Sequence, residues 1–164
     1  MPPLRELQLH FSAALFDGTT EALVPWIRGD GIDAEARIEI YRNNPAKAIE
    51  LLQAATSYEL GDPLPEVEFG AFLYPPYMRG QAYLLLHQGS EAAAEFQKFL
   101  DHRGLVANCP LAALAHLQIG RAYAMQGDTA KARAAYQAFL TLWKDADPDI
   151  PILKQAKVEY ARLQ

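Results

Sequence analysis

Histidine, cysteine and carboxylate side chains are the residues of this sequence that could carry chemistry. His102, Cys109 and His116 recur at intervals of seven residues, whereas structural zinc sites use shorter ligand pairs and more than the single cysteine present here. No neighbouring pattern supplies a general base that would activate Cys109 as a nucleophile. Because no set of nucleophile, base and oxyanion donors can be assembled, we predict a protein that is not an enzyme and binds no metal or cofactor.

The carboxylates lie in turn-rich stretches. Glu66 and Glu68 follow a proline cluster, and Asp145, Asp147 and Asp149 surround a second one, so we interpret them as solvated charges and helix caps rather than as acid/base pairs. The net charge of −5 over 164 residues gives no overall attraction to nucleic acid or to an anionic membrane. A single cysteine, no signal-peptide pattern and no long apolar run predict a cytoplasmic protein without a membrane span.

Apolar residues at helical spacing run along the chain, and no segment shows the alternation of a strand, which predicts an all-α fold. Gly89-Ser90 and Gly127-Asp128 read as tight turns, with Ser90 and either Asp128 or Thr129 as helix N-caps. Asp33 is a further candidate N-cap, and Asn44 precedes Pro45 at another predicted helix start. A proline- and glycine-rich connector covers 61–76. The helices predicted after it span 76–88, 90–102, 111–126, 129–143 and 150–163.

A further helical stripe opens the chain before Asp17-Gly18. Its apolar members are Leu4, Leu7, Phe11, Ala14 and Leu15.

Two of the predicted hairpins repeat one another at an offset of 40 residues. In their first helices Gly80, Ala82 and Tyr83 align with Gly120, Ala122 and Tyr123; in their second helices Ala92, Phe96 and Phe99 align with Ala132, Tyr136 and Phe139. The alignment lapses at the turn, where His87 lies opposite Gly127. We expect the two glycines to let helices approach closely, with Ala92 and Ala132 facing the gap and the aromatic residues filling the space between stacked hairpins.

This order of small and aromatic residues resembles the tetratricopeptide repeat (TPR), although the pitch exceeds the usual length of about 34 residues. The segment 44–55, with Ala48, Leu52 and Ala55, is similar to the second helix of another unit. The resemblance covers 45–164 and implies antiparallel hairpins near 76–102 and 111–143, stacked as a short solenoid. We expect residues 150–163 to form its C-terminal capping helix.

The resemblance also implies a ligand surface, because the first helices of stacked hairpins line a concave groove. We therefore predict a scaffold that binds a protein or peptide partner there, unless the N-terminal helices or a second copy in a homodimer cover that side. The predicted groove residues are Tyr74, Tyr77, Gln81, Leu84, Leu117, Arg121 and Met125.

Two other resemblances concern larger contexts. The stretch from Leu73-Tyr74-Pro75-Pro76-Tyr77 to Asp149-Ile150-Pro151 is similar to the C-terminal repeat region of bacterial multidomain signalling proteins. Residues 4–44, with Ile27-Arg28-Gly29-Asp30-Gly31 and Ile40-Tyr41-Arg42-Asn43-Asn44, resemble a bacterial family labelled as a DNA-binding domain and associated with an iron-dependent, peptide-modifying enzyme.

These resemblances predict a domain at 1–44 joined to the repeat domain at 45–164. They add two alternative functions: a DNA-binding or transcription-associated regulator, and an accessory subunit of a peptide-modifying metalloenzyme. Residues 4–44 hold four arginines against seven acidic residues, which argues against a basic face for nucleic acid.

Overall fold

The computed structural model describes residues 30–53, 56, 59, 74–103 and 110–163. These residues contain seven helices and no strand, which confirms the all-α prediction. The helices are α1 (Asp30–Tyr41), α2 (Pro45–Gln53), α3 (Tyr74–Leu85), α4 (Gly89–Asp101), α5 (Pro110–Met125), α6 (Thr129–Leu142) and α7 (Pro151–Ala161).

Consecutive helices pack as hairpins, and the hairpins stack in chain order. The first hairpin is α1–α2, the second α3–α4 and the third α5–α6. Each second helix also contacts the first helix of the next hairpin, and the first helices contact one another along the stack. This is the packing of a TPR-like helical repeat, closed at its C-terminal end by α7, which packs on α6.

In the second and third hairpins, an aromatic ring packs on a glycine sixteen positions earlier. A Cβ atom added to Gly80 would lie 2.5 Å from Cζ of Phe96, and one added to Gly120 would lie 2.8 Å from Cδ2 of Tyr136. The first hairpin places Ala36 and Leu52, both fully buried, in one cluster. The nearest atoms at both glycines are aromatic, and the packing of Ala92 and Ala132 on the gap stays a prediction. The aromatic rings of the same hairpin fill that space, because a glycine leaves room for a whole ring edge.

A third glycine allows close approach between neighbouring hairpins. A Cβ atom on Gly89, the first residue of α4, would lie 2.7 Å from the carbonyl oxygen of Ala122 in α5. Since only glycine fits at that distance, this position sets how tightly the second and third hairpins stack.

The offset of 40 residues persists through the turns, contrary to the lapse expected from sequence. His87 and Gly127, which occupy equivalent positions, both have left-handed φ angles, of 57° and 77°. The next residues, Gln88 and Asp128, are the N-caps of α4 and α6. Asp128 accepts a hydrogen bond of 3.1 Å from the backbone N–H of Lys131, as predicted.

Several predicted helix starts move by a few residues. The cap predicted at Ser90 was wrong, since α4 begins at Gly89, and Asp33 lies inside α1 rather than at its start. Pro75 and Pro76 belong to the first turn of α3, where a missing N–H leaves no bond unmade. The boundary predicted at residue 44 falls in the turn of the first hairpin, whose two helices share one apolar cluster.

We predict that Gly80→Ala destabilises the protein by about 1 kcal/mol, measured as the free energy of unfolding in urea. Alanine gains about 1 kcal/mol of helix propensity, but the displaced ring of Phe96 is fully buried, and overpacking a core costs about 1–3 kcal/mol. The double variant Gly80→Ala/Phe96→Leu, which copies the pairing of Ala36 with Leu52, should lose less than the sum of the single variants. Additive losses would contradict the proposed contact.

We predict that His87→Gly stabilises the protein by about 0.5 kcal/mol. A left-handed φ angle costs an L-residue about 1–2 kcal/mol, and the entropy that glycine adds to the unfolded chain offsets about 0.4–1 kcal/mol of that gain. The reciprocal change Gly127→Ala should destabilise by about 1 kcal/mol, because no atom lies within 4 Å of the new Cβ and the effect is one of backbone strain. Thermal and urea unfolding measure both variants, and changes of the same sign would refute the equivalence of the two turns.

Candidate functional site

The seven predicted groove residues divide by exposure. Tyr74 and Met125 are exposed, and Gln81 and Leu84 are half-buried. Tyr77 is only 8% exposed and Leu117 is fully buried. The structure therefore brings part of this set to the surface and places the rest in the core.

Tyr77 packs inside the second hairpin. Its ring meets Phe96 and Phe99 edge to face, with centroid distances of 5.4 and 5.8 Å. Its hydroxyl accepts a hydrogen bond of 3.3 Å from Nε2 of Gln118 in the third hairpin. Burial raises the pKa of the Tyr77 hydroxyl, although the bond from Gln118 opposes the rise. Tyr77 is thus a contact between hairpins, with little surface for a partner.

Leu117 is covered by the C-terminal helix. It belongs to a cluster with Leu153 and Ala156 of α7 and with Tyr136 and Phe139 of α6. The next element of the stack removes this groove position from solvent, as α5 does for Tyr77. Neither residue can supply the apolar contact surface that the sequence predicted for it.

Arg121 is engaged by Glu159 of α7. The guanidinium donates two hydrogen bonds to the carboxylate, from Nε to Oε2 at 2.8 Å and from Nη2 to Oε1 at 2.9 Å. The hydroxyl of Tyr136 donates to Oε2 at 2.8 Å, and Arg121 Nη1 donates to Oε1 of Gln118 at 3.2 Å. Together with the bond from Gln118 to Tyr77, these contacts join α3, α5, α6 and α7.

The hydrogen bonds around Arg121 determine the protonation states of Glu159 and Tyr136. Burial alone would raise the pKa of Glu159, but hydrogen bonds from Arg121 and Tyr136 outweigh it and leave the pKa below its ordinary value. Burial and the neighbouring carboxylate raise the pKa of Tyr136 well above its ordinary range. Glu159 is therefore ionised and Tyr136 neutral at physiological pH, which suits a structural link rather than a proton-transfer site.

The turn residues with left-handed φ angles, Asn43, His87 and Gly127, align the first hairpin with the second at an offset of 44 residues and the second with the third at 40. On this alignment, three exposed apolar residues occupy one repeat position, near the C-terminal end of the first helix of each hairpin. Tyr41 is 91% exposed, Leu85 45% and Met125 38%. Hereafter these three residues are called the first-helix ridge. Sequence analysis named Met125 alone, although the offset of 40 residues pointed directly to Leu85.

A buried charge network lies on the other side of the second hairpin, around Arg79, of which 2% is exposed. Its Nη2 atom donates to Glu59 Oε2 at 2.7 Å and to Glu95 Oε2 at 2.8 Å, and Nε donates to Glu95 Oε1 at 3.2 Å. Nη1 donates to Glu59 and, at 3.2 Å, to the carbonyl oxygen of Leu52. Lys98 Nζ reaches both carboxylates, at 3.1 and 2.8 Å. Two cations and two anions thus neutralise one another.

The electrostatics of this network favour the ionised forms of Glu59 and Arg79. Burial would raise the pKa of Glu59, but hydrogen bonds and charges from Arg79 and Lys98 outweigh it, and the pKa lies below its ordinary value. Burial likewise opposes the charge on Arg79, and the bonds to Glu59 and Glu95 raise its pKa instead. The network holds Glu59, which precedes the long connector to α3, against the second hairpin.

Sequence analysis missed the network, yet the repeat contained a signal for it. The residues 40 positions after Arg79, Glu95 and Lys98 are Ile119, Ala135 and Ala138, so three charged positions of one unit are apolar in the next.

The residues considered for metal binding or catalysis do not form a site in the described part of the chain. Nδ1 of His102 lies 2.9 Å from the carbonyl oxygen of Lys98, and burial followed by the charge of Arg103 lowers the pKa of His116. Cys109, Glu66 and Glu68 lie outside the described residues. Within those residues, no three His, Cys, Asp or Glu side chains are grouped so that they could hold a metal ion. No described helix is long and apolar enough to cross a bilayer.

Residues 77–149 match the family model described as Tetratricopeptide repeat. The matched segment runs from α3 through α6, so it covers the second and third hairpins. Tetratricopeptide repeats generally mediate protein–protein interaction. Neither the curated proteins nor the solved structures contain a match to this chain. The relationship to multidomain signalling proteins and the DNA-binding assignment of 4–44 remain predictions.

We predict that the protein loses stability as the pH falls from about 5 to about 3. Glu59 and Glu159 both have lowered pKa values in the folded state, so each stabilises the fold above its unfolded pKa of 4.5. That contribution is lost as pH falls through the folded pKa. Glu59→Gln should cost on the order of 3 kcal/mol at pH 7, because breaking a buried pair leaves Arg79 poorly compensated. The same variant should also show a weaker dependence of the free energy of unfolding on pH in the acid range.

The matched control is Glu50→Gln, which removes a carboxylate from an exposed pair with Lys47. Exposed pairs contribute little, so this variant should follow the wild-type pH profile. Urea titrations at several pH values measure both variants. A Glu59→Gln profile parallel to wild type would show that the buried network does not control acid stability.

Proposed function

We propose that this protein is a non-enzymatic scaffold that binds a protein or peptide segment along the first-helix ridge. The supporting observation is the recurrence of an exposed, large apolar residue at the same position of all three hairpins, in a chain whose second and third hairpins match the tetratricopeptide repeat. Isolated exposed apolar residues are ordinary on protein surfaces. Their repetition at one position of a repeat is what requires an explanation.

Each ridge residue has a polar neighbour one helical turn earlier. Arg37 precedes Tyr41, Gln81 precedes Leu85 and Arg121 precedes Met125, each by four residues. Arg37 is exposed, while Gln81 and Arg121 are partly exposed. The surface thus offers an apolar line beside a line of hydrogen-bond donors, the combination of apolar anchors and polar rim found at protein interfaces.

The packing of the helices also sets the spacing that a partner must match. Adjacent helix axes lie about 8–10 Å apart, so the ridge presents one apolar residue at about that interval. An extended segment in the polyproline II conformation advances about 3.1 Å per residue with three residues per turn, so it would present matching side chains at every third residue. A helical segment, which rises about 1.5 Å per residue, would present them at every seventh. We propose a partner segment with apolar side chains at one of these spacings.

Arg121 has a narrower role in this proposal than in the sequence prediction. Because Nε and Nη2 of its guanidinium both donate to Glu159, a partner carboxylate would have to compete with that contact. We propose that the Arg121–Glu159 pair, about one-fifth exposed on each side chain, forms a polar rim beside Met125. Apolar contact with the ridge supplies the affinity.

We predict that Leu85→Glu and Met125→Glu each weaken partner binding at least about fivefold, since residues central to an interface contribute about 1 kcal/mol or more. Both side chains are exposed, so the free energy of unfolding should change by no more than about 0.5 kcal/mol. Affinity capture from a source lysate with quantitative mass spectrometry identifies the partner. Titration of that purified partner then gives the change in Kd.

Leu142→Glu is the matched control, because Leu142 is an exposed leucine at the end of α6 and outside the ridge. A partner that is retained by this control and lost by the ridge variants supports the proposal. Equal retention by all variants refutes it. Sedimentation velocity of the purified wild-type protein shows separately whether the ridge instead mediates a homodimer.

A further inference from the structure

The first hairpin exposes a surface that the later hairpins bury. Ala82 of α3 and Ala122 of α5 are fully buried, each in a cluster with residues of the preceding hairpin. The equivalent residue of α1 is Ile38, a larger side chain that is only half-buried. Among the described residues, no element precedes α1 in the stack.

A second position gives the same result. Arg79 and Ile119 lie three residues before the two alanines and are 2% and 3% exposed, whereas the equivalent Glu35 of α1 is exposed. Two adjacent turns of α1 therefore present the surface on which a preceding second helix packs elsewhere in the array. This surface is distinct from the first-helix ridge, whose members remain exposed even where a preceding hairpin is present.

The residues that precede α1 have the apolar spacing of a second helix. Leu7, Phe11 and Ala14 are separated by four and then three residues. Ala92, Phe96 and Phe99 of α4 have the same spacing, as do Ala132, Tyr136 and Phe139 of α6. All six of those residues are buried in the structure. Phe11 takes the central position, which an aromatic residue holds in α4 and α6 and Leu52 holds in α2.

The chain length also fits such a placement. Fourteen residues, 16–29, separate Leu15 from Asp30 at the start of α1. Between a second helix and the next first helix, the array uses 20 residues at 54–73 and 8 residues at 102–109. A connector of intermediate length can therefore bring residues 4–15 to the place before α1 that α2 occupies before α3.

We propose that residues 4–15 form a helix that packs on α1 at Ile38 and closes the N-terminal end of the array. The sequence stripe supplies the apolar face, and the surface of α1 supplies its binding site. Residues 1–44 would then be one continuous part of the solenoid. This proposal does not depend on the proposed partner-binding function.

Cysteine cross-linking in the full chain tests the placement. In a Cys109→Ser background, Ile38→Cys is combined with Leu7→Cys, Phe11→Cys or Ala14→Cys on the stripe, or with Ala13→Cys on the opposite helix face. Disulfides form only when Cα atoms come within about 4.4–6.8 Å. We expect at least one stripe pair to form an intramolecular disulfide ten times faster than the Ala13 pair. Equal rates, or intermolecular disulfides only, would overturn the proposal.

Hydrogen exchange of α1 provides an independent readout. We expect Phe11→Asp to accelerate exchange of α1 amides at least tenfold and Ala13→Asp to leave it unchanged, because only the first buries a charge in the contact. Amides of α5 and α6 serve as the internal reference and should not change, which excludes general unfolding. Unchanged α1 exchange in Phe11→Asp overturns the proposal. Protection that depends on protein concentration would assign the surface to a second copy and overturn it as well.

Discussion

In the second and third hairpins, the contact between an aromatic ring and a glycine sixteen positions earlier sets the distance between the two helices, as with Phe96 and Gly80. In the first hairpin, the equivalent residues are Ala36 and Leu52, which belong to one buried cluster. A smaller residue on the first helix is thus paired with a larger residue on the second helix, which keeps the interior close-packed. This distance between the two helices sets the rotation of each first helix about its own axis. That rotation determines which of its residues face the next hairpin and which face solvent.

The second hairpin adds a buried charge network to this shared design. Taking Arg79 out of water is costly, and two carboxylates, a lysine and a backbone carbonyl together compensate for the cost. The third hairpin shows that the fold does not need the charges, because Ile119, Ala135 and Ala138 occupy the same positions. An apolar set would pack the hairpin, but it would not hold Glu59. We infer that the main role of the network is to specify where the chain leaves the first hairpin. Any stabilisation of the stack follows from holding Glu59 in place.

The helices, their pairing and the C-terminal cap could be predicted because they depend on periodicity and on the repeated small and aromatic residues. The turns were harder to predict, since His87 adopts a left-handed conformation that its residue type does not indicate. The groove was predicted from repeat position alone, and position does not reveal how far the next element extends. That is why Tyr77 and Leu117, covered by α5 and α7, were assigned to the surface. Arg79 could have been found from its mismatch with Ile119, but its partner Glu59 belongs to no repeat.

On the exposed side of the first helices, a line of apolar residues lies beside a line of polar residues. Packing does not explain this separation. Tyr41, Leu85 and Met125 belong to none of the buried apolar clusters, and polar residues at these positions would favour solubility. One turn earlier, Arg37, Gln81 and Arg121 show that this side accepts polar residues in all three hairpins. Apolar character is therefore confined to one line of positions and recurs there although the side chains differ. An aromatic, a branched and a thioether side chain share no packing geometry, but they share the property of binding an apolar partner segment.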